Sequence, residues 1–309
     1  MDRWERHALE VLKGLTGKEK RAFRKMNKEY EAIIDEIMIA LSAMYERVNK
    51  GEKLTYADVR RFNELQRFQS RVHAQVTLLG RNNLKTIRKL LEDSYDFSYS
   101  YMSYVIELEA QVLLDGAIPN IAEILQQVWD NPIYGLHLEA SMEKDRQLIV
   151  RNINGAIEKG LKQGETYGGI AKNIREVFES SKRRSMTIAR TETHRVRERA
   201  GQESSMNAHR QGIKMIKIWR NMDDERVRAT DKANHVEMEG QTVPVDEMFV
   251  GVSGARGMSP GSMGMAEEDI NCRCYSSRRI SHLEKQVPKQ AVKDTFEDWE
   301  KAKKRAASI

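Results

Sequence analysis

Tyr30-Glu31-Ala32-Ile33-Ile34-Asp35-Glu36-Ile37-Met38-Ile39-Ala40-Leu41-Ser42-Ala43-Met44-Tyr45-Glu46-Arg47-Val48 decides the character of the N-terminal half. Tyr30, Ile33, Ile34, Ile37, Met38, Leu41, Met44, Tyr45 and Val48 recur at steps of three and one, which places them on one face of an α-helix. Upstream, Thr16-Gly17-Lys18-Glu19 fits a capping box, in which a hydroxyl and a carboxylate satisfy first-turn amides. Asn49-Lys50-Gly51 supplies a stop. A second box, Thr55-Tyr56-Ala57-Asp58, predicts a basic helix to about Leu91, with Phe62, Leu65, Phe68 and Val72 turned inward.

Proline breaks helix interiors, and only Pro119 and Pro132 precede residue 243. Long helices are therefore permitted. Residues 94–115 alternate like a strand at Tyr95, Phe97, Tyr99 and Tyr101, yet Phe97, Tyr101, Tyr104, Val105 and Leu108 share a helical face. The absence of a turn signal over this length decides for helix. The aromatic row reads as core, because a base-stacking groove would place cations beside it. Further helices are expected over 120–130, 139–163, 166–179 and 182–211, with breaks at Gly164 and Gly168-Gly169.

After Gly212, Ile213-Lys214-Met215-Ile216-Lys217-Ile218-Trp219 reads as a strand. A turn at Asn221-Met222-Asp223-Asp224, a short helix over 229–238 and a turn at Glu239-Gly240-Gln241 follow. A loop over 251–265 carries five glycines and Pro260, and a strand is expected over 270–280. From Pro288 onward, Val292, Phe296 and Trp299 mark an amphipathic helix, with Lys301, Lys303, Lys304 and Arg305 suited to its C-terminus. The expected fold class is α+β, predominantly α. A long-helix body over 1–164 precedes a smaller α+β module over 165–285 and an amphipathic basic tail over 286–309.

The chain has 309 residues, 32% charged and 40% hydrophobic, a composition that folds. No uncharged apolar run of about 18 residues exists, so no transmembrane helix or membrane partner is expected. Met1-Asp2-Arg3-Trp4-Glu5-Arg6 opens without an apolar block, so no secretory signal is expected. Two cysteines cannot build a disulfide framework, which fits a reducing cytoplasm. The net charge of +6 is unevenly placed. Residues 1–180 carry 27 basic and 27 acidic side chains, so the whole excess lies in 181–309. Residues 90–143 hold ten acidic side chains and no Lys or Arg. Residues 181–232 hold 14 basic against seven acidic.

An ordered set of short blocks falls in that basic half. Ile188-Ala189-Arg190-Thr191-Glu192-Thr193 comes first, then Gly212-Ile213-Lys214 leading to Trp219. Asp223-Asp224-Glu225-Arg226-Val227-Arg228 follows, then His235 before Gly240-Gln241-Thr242-Val243. Pro260-Gly261 and Ala266-Glu267-Glu268-Asp269-Ile270-Asn271-Cys272-Arg273-Cys274 close the set. It resembles the head-morphogenesis proteins of tailed phages, the minor head proteins of the phage Mu F type, over about residues 165–280. The resemblance implies a minor head protein made in the host cytoplasm and resident in the virion, inside the capsid. It implies a portal protein as partner, with scaffold or major capsid protein as further contacts. It also implies roles in capsid assembly and in packaging or ejecting double-stranded DNA. The helical body would dock on the portal, and the module and tail would face the DNA.

The helix from residue 186 has a thin apolar stripe, while Arg190, His194, Arg197 and Gly201 line one face. Arg190, Glu192, an Asp224/Arg228 pair, His235 and Asn271 are expected to form a structural polar network, since guanidinium forks grip carboxylates. Arg195, Arg199, Arg210, Lys214 and Lys217 are expected to lie exposed as phosphate contacts for weak, sequence-independent DNA binding. His235, Cys272 and Cys274 are candidate zinc ligands, with His194 or His209 as a fourth. Against zinc stand the short Cys-x-Cys spacing and the reading of both thiols as small hydrophobes; otherwise no cofactor is expected. The alternative function is a metal-dependent hydrolase or nuclease using Arg190, Glu192 and His235. No nucleophile elbow, Walker loop or His-Glu-x-x-His supports it, so no enzyme and no catalytic residues are expected. A DNA-binding regulator lacks any helix-turn-helix pattern.

Overall fold

The computed structural model describes residues 2–48, 56–61, 63–115, 138–284, 292 and 294–306. The expected stop at Asn49-Lys50-Gly51, the cap at Thr55, Phe62, the helix over 120–130 and the tail start at Pro288 lie outside them.

Helix α1, Arg3–Val48, runs straight through the predicted start at Thr16. The Thr16 hydroxyl donates instead to the Leu12 carbonyl four residues back, 2.9 Å away, a bond compatible with helix interior. Upstream, Val11 and Leu15 are buried and extend the apolar face. A short α2, Tyr56–Arg61, is followed by Asn63 at a φ of 55°. Helix α3, Glu64–Ala110, merges the expected basic helix with the aromatic segment. Helix α4 covers Leu138–Lys162 and ends as predicted at Gly164, whose φ is 64°. Helix α5, Tyr167–Arg210, replaces the two helices expected at 166–179 and 182–211. Gly168 and Gly169 sit in its first turn, where the Gly169 amide donates to the Thr166 hydroxyl at 3.3 Å, so they start a helix rather than break one.

Two compact units emerge, and they do not follow a boundary near residue 164. The helical unit comprises Lys20–Arg88 and Leu138–Ile188. Its core joins Ile37, Leu41 and Met44 of α1, Phe68, Val72 and Val76 of α3, Ile149, Ile153 and Ile157 of α4, and Ile174 and Phe178 of α5. The mixed unit comprises Met1–Glu19, Lys89–His137 and Ala189–Ile309. The long helices α1, α3 and α5 each contribute residues to both, which is why a boundary drawn along the sequence does not match.

In the mixed unit, β1 (Ile213–Arg220) is the centre of an antiparallel sheet of order β4-β1-β7, with β4 at Thr242–Pro244 and β7 at Tyr275–Leu283. Trp219 stands opposite Ser276, and a register shift lies between Lys214 and Met215. Ile213 and Met215 pack with Met102, Ile106 and Ala208. The predicted helix over 229–238 is absent. A hairpin of β2 (Ala229–Thr230) and β3 (Ala233–Asn234) stands there, pinned where the Thr230 hydroxyl accepts from the Ala233 amide at 3.1 Å. Small strands β5 (Phe249–Val250) and β6 (Arg256–Gly257) pair in the glycine loop, and a single turn, α6, spans Ala266–Asp269.

Helix α7, Phe296–Ala306, lies on the aromatic row of α3. Phe296 meets Phe97, Tyr101 and Tyr104 at centroid distances of 5.8, 5.2 and 5.6 Å. The Trp299 indole donates to Glu107 at 2.6 Å, and Lys303 pairs with Glu107 at 2.7 Å. Glu107, in the acidic section, is thus buried rather than turned to solvent. Lys304 is likewise paired within the unit, with Asp96, 3.1 Å away, and Glu300. Among the described residues, no helix is long and apolar enough to cross a membrane.

Candidate functional site

The motif blocks converge on one buried cluster. Strand β1 delivers Trp219, whose ring meets His235 edge-on at 5.3 Å and Phe249 at 5.3 Å. Met238, Ala255, Met263, Cys272 and Cys274 close around them. The β2–β3 hairpin presents His235, whose amide donates to the Arg228 carbonyl at 2.8 Å. The Arg228 guanidinium reaches the carbonyls of Glu268, at 2.7 Å, and Ile270. It therefore ties the hairpin to α6 and does not pair with Asp224 as the sequence suggested.

Helix α6 carries two buried carboxylates. Glu268 accepts from His235 Nε2 at 2.8 Å and from the Ser253 hydroxyl at 2.8 Å. Asp269 accepts the amides of Met263, 2.9 Å away, and Gly264, at 2.8 Å, and so anchors the glycine loop. Past α6, Asn271 takes a φ of 55° and its amide donates to the Thr191 hydroxyl at 3.1 Å. That turn aims the next residues inward. Cys272 and Cys274 lie just before β7, not on a strand as expected. Both remain free thiols, Sγ atoms 3.7 and 3.4 Å from His235 Nδ1.

All three candidate ligands are buried, and their ligand atoms lie within 4.8 Å of one another. Neither expected fourth ligand joins them. His194 Nε2 sits 2.7 Å from the Cys274 carbonyl, and His209 Nδ1 accepts the Met215 amide at 3.4 Å. Burial opposes charge on both sulfur and ring. Hydrogen bonds from Cys274 and His235 nevertheless hold the Cys272 thiol well below its usual range. Contacts with Cys272 and Glu268 raise the imidazole of His235. Cys274 is pushed up by the neighbouring Cys272 and by burial. The His235 ring is thus wedged between the two sulfurs on its Nδ1 side and the Glu268 carboxyl group on its Nε2 side. Such a set can hold a thiophilic metal or keep a thiolate reactive.

Cys272 also lines a cleft of about 710 Å³, together with Arg190, Arg197, Arg226, Arg228 and Arg273. Glu19 shares that cleft, and burial raises its carboxyl. Arg190 and Arg226 are exposed. Asp224 pairs with Arg226 at 3.2 Å and with Arg273. The pairings differ from those expected: Glu192 is buried against Arg195, at 3.0 Å, and His235 bonds to Glu268. Of the Arg190, Glu192 and His235 set, Glu192 and His235 thus take different partners, Arg195 and Glu268.

Two expected DNA contacts are buried. Arg195 is 6% exposed and Lys217 0%. Lys217 Nζ donates to the Met258 carbonyl at 2.7 Å and to Gln202 Oε1 at 3.4 Å, and lies 5.2 Å over the Phe249 ring. Burial, with Arg278 nearby, lowers its pKa to about 7. Both expectations rest on alternation and helical spacing, but the α5 face bearing Arg195 and the β1 face bearing Lys217 are covered by chain distant in sequence. Arg199 pairs with Glu203 at 2.6 Å, Lys214 pairs with Glu284 at 3.1 Å, and Arg210 alone of the five is exposed.

Sequence reasoning missed Glu268, Asp269 and the buried pair of Glu198 with Arg278, 3.2 Å apart. Gly201 makes room for that pair: a Cβ there would stand 2.7 Å from Arg278 Nη1. The acidic run before Cys272 was the available signal for Glu268, but its spacing does not reveal which carboxylate turns inward.

Residues 151–277 match the family model described as Phage Mu protein F like protein. Minor head protein GP7 of Bacillus phage SPP1 is 30% identical over 292 residues, 92% of this chain and 93% of that protein. The NAD(+)--arginine ADP-ribosyltransferase EFV of Enterococcus faecalis (strain ATCC 700802 / V583) is 30% identical over 205 residues, 66% of this chain but 41% of that protein. No solved structure is similar enough to be matched to this chain.

Proposed function

This chain belongs to the family of phage minor head proteins, and from that premise we propose that it docks at the portal inside the capsid and touches the packaged DNA. Membership itself gives a component of the phage head with a role in capsid assembly. Portal docking, DNA contact and a position inside the shell are the further steps. The reading is non-enzymatic. The similarity to GP7 runs nearly from end to end of both chains, whereas more than half of the ADP-ribosyltransferase lies outside the matched stretch.

One observation carries the DNA contact: the cleft lined by Arg190, Arg197, Arg226, Arg228 and Arg273, in which arginines outnumber carboxylates. Planar guanidinium groups bind phosphate oxygens without reading base edges, so such binding is independent of sequence. Arg190 and Arg226 of the cleft, both exposed, and exposed Arg210 replace Lys217 and Arg195 as the phosphate-facing cations. Affinity for a duplex fragment measured against salt tests this. Full-length protein should show a clearly negative log–log slope, and Arg190→Ala with Arg226→Ala should flatten it by about one for each phosphate no longer neutralised. A slope near zero for the unaltered protein removes the DNA contact.

Portal docking is supported by Ile39 and Leu78 of the helical unit, large apolar side chains left 60% and 44% exposed. Deleting residues 1–164 would cut through both compact units, so full-length Ile39→Asp and Leu78→Asp variants are the sounder probe. Co-purification with portal protein, with and without DNA, should weaken for these variants. Undiminished capture would place the portal contact on another surface of this chain.

A further inference from the structure

We propose that His235, Cys272 and Cys274 bind one zinc ion, with Glu268 orienting the histidine from behind. Nothing in the family membership requires this. It rests on four features of the geometry.

The first is distance. Zinc takes thiolate sulfur at about 2.3 Å and imidazole nitrogen at about 2.0–2.1 Å, so a tetrahedral angle separates sulfur from nitrogen by about 3.6 Å. The two observed separations, 3.7 and 3.4 Å, bracket that value. The second is convergence. Two sulfurs approach the same Nδ1, which can share a single proton with only one of them at a time. A metal satisfies all three atoms together. The third is the partner on the far side of the ring. His235 Nε2 is 2.8 Å from the Glu268 carboxylate, which fixes the ring and leaves Nδ1 facing the sulfurs. A carboxylate behind a ligating histidine is a recurring support of zinc sites, because it sets the tautomer and strengthens the nitrogen as a donor. The fourth is placement. Glu268 is 0% exposed and itself held by Ser253, so the support is built into the fold.

Thiolates with an imidazole favour zinc over the hard cations that prefer oxygen. On binding, the metal takes the place of the protons on Nδ1 and on the sulfurs, which pass to solvent. Among the described residues no fourth His, Cys, Asp or Glu joins the group. Cys272 faces the arginine-lined cleft, so the remaining position is open to water or to a small anion entering from that side. The ion would link the β2–β3 hairpin to the segment before β7, adding to the ties that Arg228 and His235 make to α6 and Ile270.

The test uses the full chain, purified without chelator and again after stripping and reloading with Zn²⁺. Plasma mass spectrometry should find about one zinc per chain, and Co²⁺ should give the intense visible and sulfur-to-metal bands of tetrahedral thiolate ligation. Zinc should slow the reaction of both thiols with a disulfide reagent. Cys272→Ser and Cys274→Ser should abolish the cobalt spectrum. Buried cysteines are also packing residues, so Glu268→Gln is the second variant. It keeps every ligand and should weaken zinc in competition with a chelating dye by about 10–100-fold. Folded protein that takes up no zinc, or thiol reactivity indifferent to zinc, overturns the proposal. So does stoichiometric copper or iron in place of zinc, and an unchanged affinity in Glu268→Gln removes the supporting role of the carboxylate.

Discussion

Lys217 offers a quantitative test of how the module is folded. An ordinary lysine titrates near 10.4, whereas burial beside Arg278 brings Lys217 to about 7, with Asp246 and Glu247 opposing. Between these limits the unfolded chain carries a proton that the native chain does not. Stability therefore rises with pH, by about 1.4 kcal/mol per unit for this group. Below about pH 7 both states are protonated and the contribution is flat at its least favourable value. Replacing Lys217 with Met removes the titration. It also leaves the Met258 carbonyl and Gln202 Oε1 without their donor, a pH-independent loss of about 1–3 kcal/mol. From pH 7 to 9.5, unaltered protein should gain about 3 kcal/mol relative to Lys217→Met. Urea unfolding followed by tryptophan fluorescence across that range measures both curves, and the difference between them cancels the other titrating groups. Parallel curves would show that Lys217 reaches solvent, and would restore it as a phosphate contact.

Three further outcomes concern the same unit. Arg195→Ala leaves Glu192 buried without the guanidinium beside it, so thermal unfolding should reveal a loss of about 3–5 kcal/mol, with DNA affinity little altered. Trp299→Ala removes the indole bonded to Glu107 and should cost about 3–5 kcal/mol, seen as early proteolysis within α7. Gly201→Ala places a methyl against Arg278 Nη1 and should destabilise by about 1–3 kcal/mol in urea, whereas Gly155→Ala, with open space around it, should not.

The helices were legible because their signal is local. The α1 face from Tyr30 to Tyr45 is buried as its spacing predicts, and the aromatic row of α3 is covered by α7 rather than left as a platform for bases. Errors fell at helix starts. Thr16 and Gly168 look like punctuation, but a hydroxyl can bond backward inside a helix and a glycine can open one. The hairpin at 229–234 was missed because strands of two residues carry too few side chains for a period to show.

The candidate site divides in the same way. The types and order of Arg190, Glu192, His235, Cys272 and Cys274 could be read from the chain, as could the family and the helical class. Which side chains face one another could not. Glu192 chose Arg195, Arg228 chose two carbonyls, and His235 chose Glu268 and the sulfurs, since each choice depends on residues brought together by the sheet and the turn at Asn271. Sequence by itself determined periodicity, chemistry and local charge, which depend on neighbours a few positions apart. Tertiary structure alone decided burial. It turned Lys217 from an apparent surface cation into an interior amine, because exposure depends on what distant chain covers a face.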